Sequence, residues 1–302
     1  MTDSWARLSW VDGDWTGVIF DGRELLILDR APSGQDGADG VPDTALYRLS
    51  ELDFGSIDFG HPREVDGDAP GLPLRAAAMP ETRSQGSDRL PIGLVSGSQL
   101  ALPITLVSDT QFTARYGANV LAVAAGRINI IDGVLSASVG VGLHLMHHEI
   151  LADNGSLTAG NCFDLRQQFQ EFFVNGSGST IPFAGVAHLI TGRTLTGTVG
   201  CVTSTSFGPC ARAFSLAVVM DMPQQWQSLA VLAHELGHNL GAPHDAQAGS
   251  ACAHEPPGRI MAPDGGTSLT YSDCSIGLMQ QRLQGVSCLV PQWIFRDGFE
   301  TQ

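Results

Sequence analysis

The chain has 302 residues, 43% of them hydrophobic, and a formal net charge of −15. This length and composition fit a globular protein with one large domain and a smaller unit beside it. The negative charge excludes functions that need a positive face, such as binding to nucleic-acid phosphates or to anionic lipid surfaces.

The N-terminal third of the chain, residues 1–98, differs in composition from the rest. It holds more than half of the acidic residues and no cysteine. Apolar runs at 15–20 and 25–28, each preceded by an Asp-Gly pair, predict short strands joined by tight turns. Gly, Pro, Asp and Ser dominate the remainder, and residues 79–98 are typical of a linker. We therefore expect an acidic, strand-rich and loosely tethered unit.

From residue 99 onward the pattern changes to alternating strands and helices. Residues 102–107 alternate as a strand does, and Tyr116, Val120 and Val123 follow at helical spacing. Further strands are predicted at 139–150, 186–189 and 214–220, and a further helix is predicted at 224–240. Two more helices are predicted around apolar stripes. One stripe is Leu165, Phe169 and Phe172, and the other is Ile276, Met279 and Leu283. This order predicts an α/β fold. No stretch approaches the roughly 18 apolar residues of a membrane span, so we expect no transmembrane helix.

All of the cysteines lie in the second half of the chain: Cys162, Cys201, Cys210, Cys252, Cys274 and Cys288. The absence of a C-x-x-C pair argues against thiolate zinc sites and thioredoxin-like redox chemistry. The even number favours three disulfides in an exported protein over free thiols, while the spacing leaves the pairing open. The first residues lack the pattern of a signal peptide. Either the chain is cytoplasmic, or its export signal was trimmed or its start was mis-assigned. The cysteines favour the second alternative, a secreted or periplasmic protein.

The segment with the clearest chemistry runs from His234 to Asp245. On a helix, His234 and His238 lie one turn apart on one face, so both imidazoles can bind the same metal ion. Gly241 is predicted to end the helix in the left-handed conformation and to return His244 as a third ligand. Three imidazoles with an open fourth position are typical of a catalytic zinc site.

Glu235 lies beside the histidine face, where its carboxylate can reach a water molecule on the metal. Zinc lowers the pKa of such a water to about 7, which provides a nucleophile at neutral pH. Glu235 is then predicted to take the water proton during attack on a peptide carbonyl and to give it to the leaving amine. The segment therefore predicts one catalytic zinc ion and peptide hydrolysis.

The segment from His234 to Asp245 resembles the zinc signature of the metzincin metallopeptidases. The position of Asp245, directly after the third histidine, is similar to the signature of the adamalysin (reprolysin, ADAM-like) branch. The resemblance is to a secreted, bacterial-type member of that branch. Residues 258–263 resemble the Met-turn of that branch, in which Met261 would lie beneath the zinc site. The resemblance covers about residues 100–290.

This resemblance implies an α/β (α+β) catalytic domain at 99–290 and a C-terminal tail at 291–302. The domain would have a mixed sheet, an active-site helix and a small lower subdomain after Gly241. An extended peptide would pair with an edge strand near 198–201, and Asp245 would be buried, bonded by backbone groups. The stretches corresponding to the family's calcium site carry no carboxylate, so calcium is not predicted.

The resemblance also implies how the cysteines pair. Family pairings give Cys210 to Cys288 and Cys252 to Cys274, which leaves Cys162 to Cys201.

Residues 1–98 resemble the β-rich pro-segment of the same branch. In a cysteine-switch, a thiolate of the pro-segment occupies the fourth position on the zinc ion. No cysteine precedes Cys162, so latency would require steric cover of the active site or another zinc ligand, such as an aspartate or His61. A solubilising β-domain is the alternative.

The resulting prediction is a monomeric zinc endopeptidase that acts on proteins or peptides. Two alternatives stay open. One is a secreted binding protein without activity, against which the intact Glu235 counts. The other is a zymogen that stays latent.

Overall fold

The computed structural model describes residues 4–11, 14–21, 23, 25–30, 44–48, 99–265 and 268–292. The predicted linker, His61 and most of the C-terminal tail lie outside the described residues. Within them, the chain forms a small N-terminal sheet and a larger sheet with helices packed around it.

The N-terminal sheet is an antiparallel meander of β1 (Trp5–Val11), β2 (Asp14–Phe20), β3 (Leu25–Arg30) and β4 (Thr44–Arg48). Strand β4 was not predicted, because five residues in a Gly- and Pro-rich region give a weak strand pattern. Val18, Leu25 and Ile27 are buried and belong to the main hydrophobic core. The sheet therefore packs against the larger unit, which differs from the loose tether expected from the sequence.

The helices of the described residues are α1 (Thr110–Tyr116), α2 (Val120–Val139), α3 (Cys162–Val174), α4 (Gln225–Asn239) and α5 (Asp273–Leu283). Gly117, with φ of +53°, separates α1 from α2. Helix α2 ends at Gly140, with φ of +81°. The strand predicted to begin at residue 139 therefore begins at Gly142. The predicted start was too early because the end of α2 is as apolar as a strand.

The larger sheet contains β5 (Gln99–Ser108), β6 (Gly142–Ile150), β7 (Val186–Thr191), β8 (Gly200–Val202), β9 (Leu216–Met220) and β10 (Val290–Gln292). Its order is β10-β5-β7-β9-β8, and β6 pairs with β5. Strands β8 and β10 are antiparallel to their neighbours, whereas β5, β6, β7 and β9 are parallel. The predicted mixed sheet is confirmed. The tail predicted from 291 begins inside β10, whose last two residues pair with the start of β5.

One helical stretch of the described residues, Thr110–Val139, is long and apolar enough to cross a bilayer by length and composition. Most of that stretch is buried within the fold. Its two charged residues in the middle of α2, Arg127 and Asp132, are buried and bonded to protein groups. These features are typical of a core helix.

Three disulfides connect segments that are distant in sequence. Cys162–Cys201 joins α3 to the edge strand β8, and Cys252–Cys274 joins the loop after α4 to α5. Cys210–Cys288 links the loop before β9 to the segment before β10. These are the pairs that the resemblance implies.

Candidate metal centre

Helix α4 carries two of the candidate ligands and is held by two contacts in its C-terminal half. Near its end, His188 of β7 and the side-chain oxygen of Asn239 lie 2.8 Å apart, which links the helix to the sheet. One turn before Gly237, the carbonyl of Ala233 accepts a hydrogen bond of 2.7 Å from the Tyr271 hydroxyl. The helix is therefore fixed in position by groups outside it.

The chain reverses directly after α4. Gly241 has a φ of +87°. The N–H of Gly241 donates to the carbonyl of His238, and the N–H of Ala242 donates to that of Gly237, both at 2.9 Å. This pair of bonds is the Schellman arrangement, which favours glycine at the left-handed position. The reversal returns His244 to the face that carries His234 and His238.

The three histidines converge through one type of ring nitrogen. The Nε2 of His244 lies 3.1 Å from the Nε2 of His234 and 3.1 Å from the Nε2 of His238. All three residues are buried. Zinc held by nitrogens at about 2.0–2.1 Å in a tetrahedron places those nitrogens roughly 3.3 Å apart. The observed spacing therefore fits one zinc ion.

The other ring nitrogen of each histidine contacts an oxygen. His234 Nδ1 lies 2.6 Å from the carbonyl of Ile260, and His238 Nδ1 lies 2.8 Å from the carbonyl of Ala242. His244 Nδ1 lies 2.6 Å from the Gln247 side-chain oxygen. Because these oxygens accept, each Nδ1 carries the proton and each Nε2 carries a lone pair.

The electrostatic environment favours neutral imidazoles. Burial lowers the pKa of His234 well below its usual range and lowers the pKa of His238 to about 3, with the neighbouring histidines adding to the effect. Neutral imidazoles are the form that binds a metal. The donor set, three neutral nitrogens on a rigid frame, therefore suits zinc and similar transition metals.

The side chain of Glu235 projects from α4 toward the edge strand β8. It is 1% exposed, and its Oε2 has no hydrogen-bond partner within the described residues. Burial raises the pKa of its carboxyl well above the usual range. At Gly200 a Cβ atom would lie 2.4 Å from Glu235 Oε1. The carboxyl group therefore occupies the space that a side chain on this strand would need.

Met261 packs against Gly237 of α4, and Asp245 directly follows His244 in the chain. A Cβ on Gly237 would lie 2.4 Å from the sulfur of Met261, so the helix and the methionine approach each other closely. The N–H of Asp245 donates to the carbonyl of Met261 at 2.8 Å. The Asp245 carboxylate accepts from the hydroxyls of Ser272 and Ser275, at 2.8 and 3.1 Å.

The Asp245 contacts correct one detail of the sequence analysis. Backbone donors were expected for this carboxylate, but the bonds found come from serine hydroxyls. Ser272 caps the N-terminus of α5 and Ser275 lies in its first turn. The carboxylate lies against this helix start, where the hydroxyls reach it.

The residues that orient the ring nitrogens and the carboxylate could not be predicted from the sequence. Gln247 follows His244 by three residues, and nothing in this spacing indicates a histidine partner. The role of Gly200 depends on a strand that meets α4 only in the folded chain. Tyr271 lies in a segment similar to the family, but the resemblance gives no reason for its bond to α4.

Two other histidine-containing groups do not form comparable sites. His254, Glu255 and Cys274 lie close together, but the Cys274 sulfur is in a disulfide and Glu255 accepts from the Cys274 N–H. On β6, His148 contacts Ser108 and His147 contacts Glu149. Burial lowers the pKa of His148 to about 4. These rings face different partners.

Comparisons with known proteins place this chain in a metallopeptidase family. Residues 99–281 match a reprolysin model described as metallo-peptidase family M12. Snake venom metalloproteinase TM-1 from Protobothrops mucrosquamatus is 42% identical over 73 residues, which are 23% of this chain and 34% of that protein. The match thus spans about a third of that relative's length.

A solved structure described as a chaperone–substrate complex is also similar, with a TM-score of 0.47 and 12% identity. It covers 62% of this chain and 34% of that chain.

The family match covers more than half of the protein. The chain therefore belongs to metallo-peptidase family M12, among the reprolysins.

Proposed function

We propose that this protein is a zinc-dependent endopeptidase that hydrolyses peptide bonds of proteins. His234, His238 and His244 would hold the zinc ion, and Glu235 would act as general base. The observation that carries the proposal is the convergence of three Nε2 atoms while each Nδ1 contacts an oxygen. Membership of family M12 supports the same activity.

When bound, zinc supplies a Lewis acid that polarises a peptide carbonyl and acidifies water. Glu235 moves the proton: its Oε2 takes a proton from the attacking water and delivers it to the nitrogen of the leaving amine. The burial of this carboxylate excludes bulk water from the transfer. The contacts at Nδ1 keep the three imidazole rings from turning.

The edge strand β8 is the proposed binding surface for the substrate. It lies at the end of the sheet order, next to β9. An extended peptide can add to such an edge through main-chain hydrogen bonds. Because Gly200 has no side chain, this edge strand lies directly against the Glu235 carboxyl group.

We also propose that the protein is exported and acts outside the reducing cytoplasm. Its three disulfides fit an oxidising compartment. The similar protein TM-1 is a snake venom metalloproteinase, which supports a secreted location. The catalytic domain would span residues 99–290, with Met261 and Asp245 supporting the site from below.

Metal removal provides the direct test of the proposed function. The purified protein should contain one zinc ion per chain, and its cleavage of an unfolded protein should stop in chelator and return with zinc. His238→Ala should lose both zinc and cleavage, because it removes one of the converging nitrogens. His254→Ala is the matched control, since its side chain is 71% exposed and lies beside Glu255.

The outcomes of the metal test separate the candidate functions. Zinc without cleavage would support a binding protein in place of an enzyme. Absence of zinc from the wild type would contradict the metal assignment itself.

A substitution on β8 tests whether Glu235 must be held in its present position. Gly200→Ala is expected to lower kcat by about 100-fold, because a new Cβ displaces the carboxyl group and misplacement of a catalytic group by about 1 Å costs that much. Zinc content and thermal stability should change little. Gly160→Ala is the control, since a Cβ there meets open space. Equal activity of the two variants would contradict the positioning.

A further inference from the structure

The middle of helix α2 is buried around its whole circumference. The six consecutive residues 130–135 are buried, and six positions about 100° apart cover every side of a helix. A helix of this kind needs cover on each side, since it has no polar face to present to water. The larger sheet and α4 cover one side of α2, so a second layer must cover the other.

That second layer is the N-terminal sheet. Trp5, Arg7 and Ser9 alternate along β1 and lie over two glycines of α2. A Cβ on Gly133 would lie 2.5 Å from the Trp5 ring and 2.8 Å from the Arg7 stem, and one on Gly126 would lie 3.4 Å from Ser9 Cβ. The strand therefore fits a groove that exists only because these helix positions lack side chains.

Polar contacts continue the interface on both sides of the groove. Arg7 Nε donates to Asp132 at 3.1 Å, and the same carboxylate accepts the N–H of Leu143 at the start of β6, at 2.7 Å. Asn129 donates to the carbonyl of Leu8 at 3.2 Å. The N-terminal sheet is thereby linked through α2 to the larger sheet.

The described part of the N-terminal unit lies away from the histidines. One contact of the described strands with the active-site helix is a hydrogen bond of 2.8 Å from the Gln225 side chain to the Thr16 hydroxyl. Gln225 begins α4. At 1.5 Å per residue it lies roughly 14 Å along the helix from His234. The described strands thus cover α2, and this contact with α4 lies at the start of the helix, distant from the histidines.

We propose that the β1–β4 sheet is a permanent layer of the mature protein and not a removable inhibitory lid. The outer face of α2 is its docking surface, and the occupant is the sheet of the described strands β1–β4 of the same chain. A cut within residues 49–98 during maturation leaves the two pieces associated without a covalent link. This inference goes beyond the proposed function and is independent of zinc and of catalysis.

The test uses the full chain with a recognition sequence for a specific protease inserted between residues 49 and 98. After complete cleavage, native size-exclusion chromatography with mass detection should find both fragments in one peak at the mass of the uncut protein. Hydrogen exchange of the α2 amides should remain as slow as in the uncut chain. Separate elution of the N-terminal fragment would overturn the proposal, whatever the remaining fragment does.

A pair of variants tests the groove itself. Gly133→Leu fills the space under Trp5 and Arg7, and after cleavage it should release the N-terminal fragment at least 10-fold more readily than the wild type. Gly277→Leu is the matched control, because Gly277 lies on an exposed helix position where a Cβ meets open space. Equal retention by the two variants would contradict this docking surface. The cleaved wild-type chain decides the proposal even if Gly133→Leu fails to fold.

Discussion

Replacing Glu235 with glutamine is expected to lower the rate of peptide cleavage by about 10²- to 10⁴-fold, the range for loss of a general acid–base group. Glutamine has the shape of glutamate but cannot accept the proton from water. Glu235 is 1% exposed, so bulk water does not replace it. The zinc content of Glu235→Gln should equal that of the wild type, because the three histidines are untouched.

The control for this substitution is Glu171→Gln, which makes the same chemical change on the exposed surface of α3. Its cleavage rate should match that of the wild type. Steady-state kinetics on one peptide substrate, together with metal analysis, checks both variants. Wild-type activity in Glu235→Gln would exclude the proposed proton transfer.

Replacing Asp221 with asparagine is expected to lower the free energy of unfolding by about 3–5 kcal/mol, as when one partner of a buried ion pair is removed. The Asp221 side chain is fully buried, and one of its oxygens lies 2.6 Å from the Arg127 guanidinium, which is 3% exposed. It also pairs with Arg115 and accepts from the Tyr116 hydroxyl at 3.1 Å. The neutral amide would leave a buried guanidinium uncompensated.

The same carboxylate also affects the active-site helix. Asp221 accepts a hydrogen bond of 3.0 Å from Ser228 in the first turns of α4. Chemical denaturation of Asp221→Asn measures the loss, with Asp153→Asn on the exposed surface as the control. A change below about 1 kcal/mol, the value of an exposed pair, would contradict the structural role of this network.

The active-site helix is the element that the sequence predicts best. The analysis predicts a helix at 224–240, and α4 spans Gln225–Asn239. Its signals are local: apolar periodicity, Pro223 before the first turn and Gly241 after the last. Local signals of this kind do not depend on which other elements lie nearby.

Features that depend on distant contacts could not be predicted. Nothing in residues 1–98 indicates that Trp5 fits over a glycine more than 100 residues later. The bonds of Gln247 and Tyr271 arise only after the chain has folded back beneath α4. For the same reason, the pairing of the cysteines had to come from a resemblance, since spacing alone allows many pairings.

The contact between β1 and α2 has a consequence for biosynthesis. Arg7 and Asp132 are 125 residues apart, so the N-terminal strands leave the ribosome long before the helix they cover. Domains fold from the N-terminus during synthesis, and exposed apolar segments are prone to aggregate. Residues 5–48 are therefore already synthesised when α2 emerges, so its apolar surface can be covered without waiting for any later segment on that side.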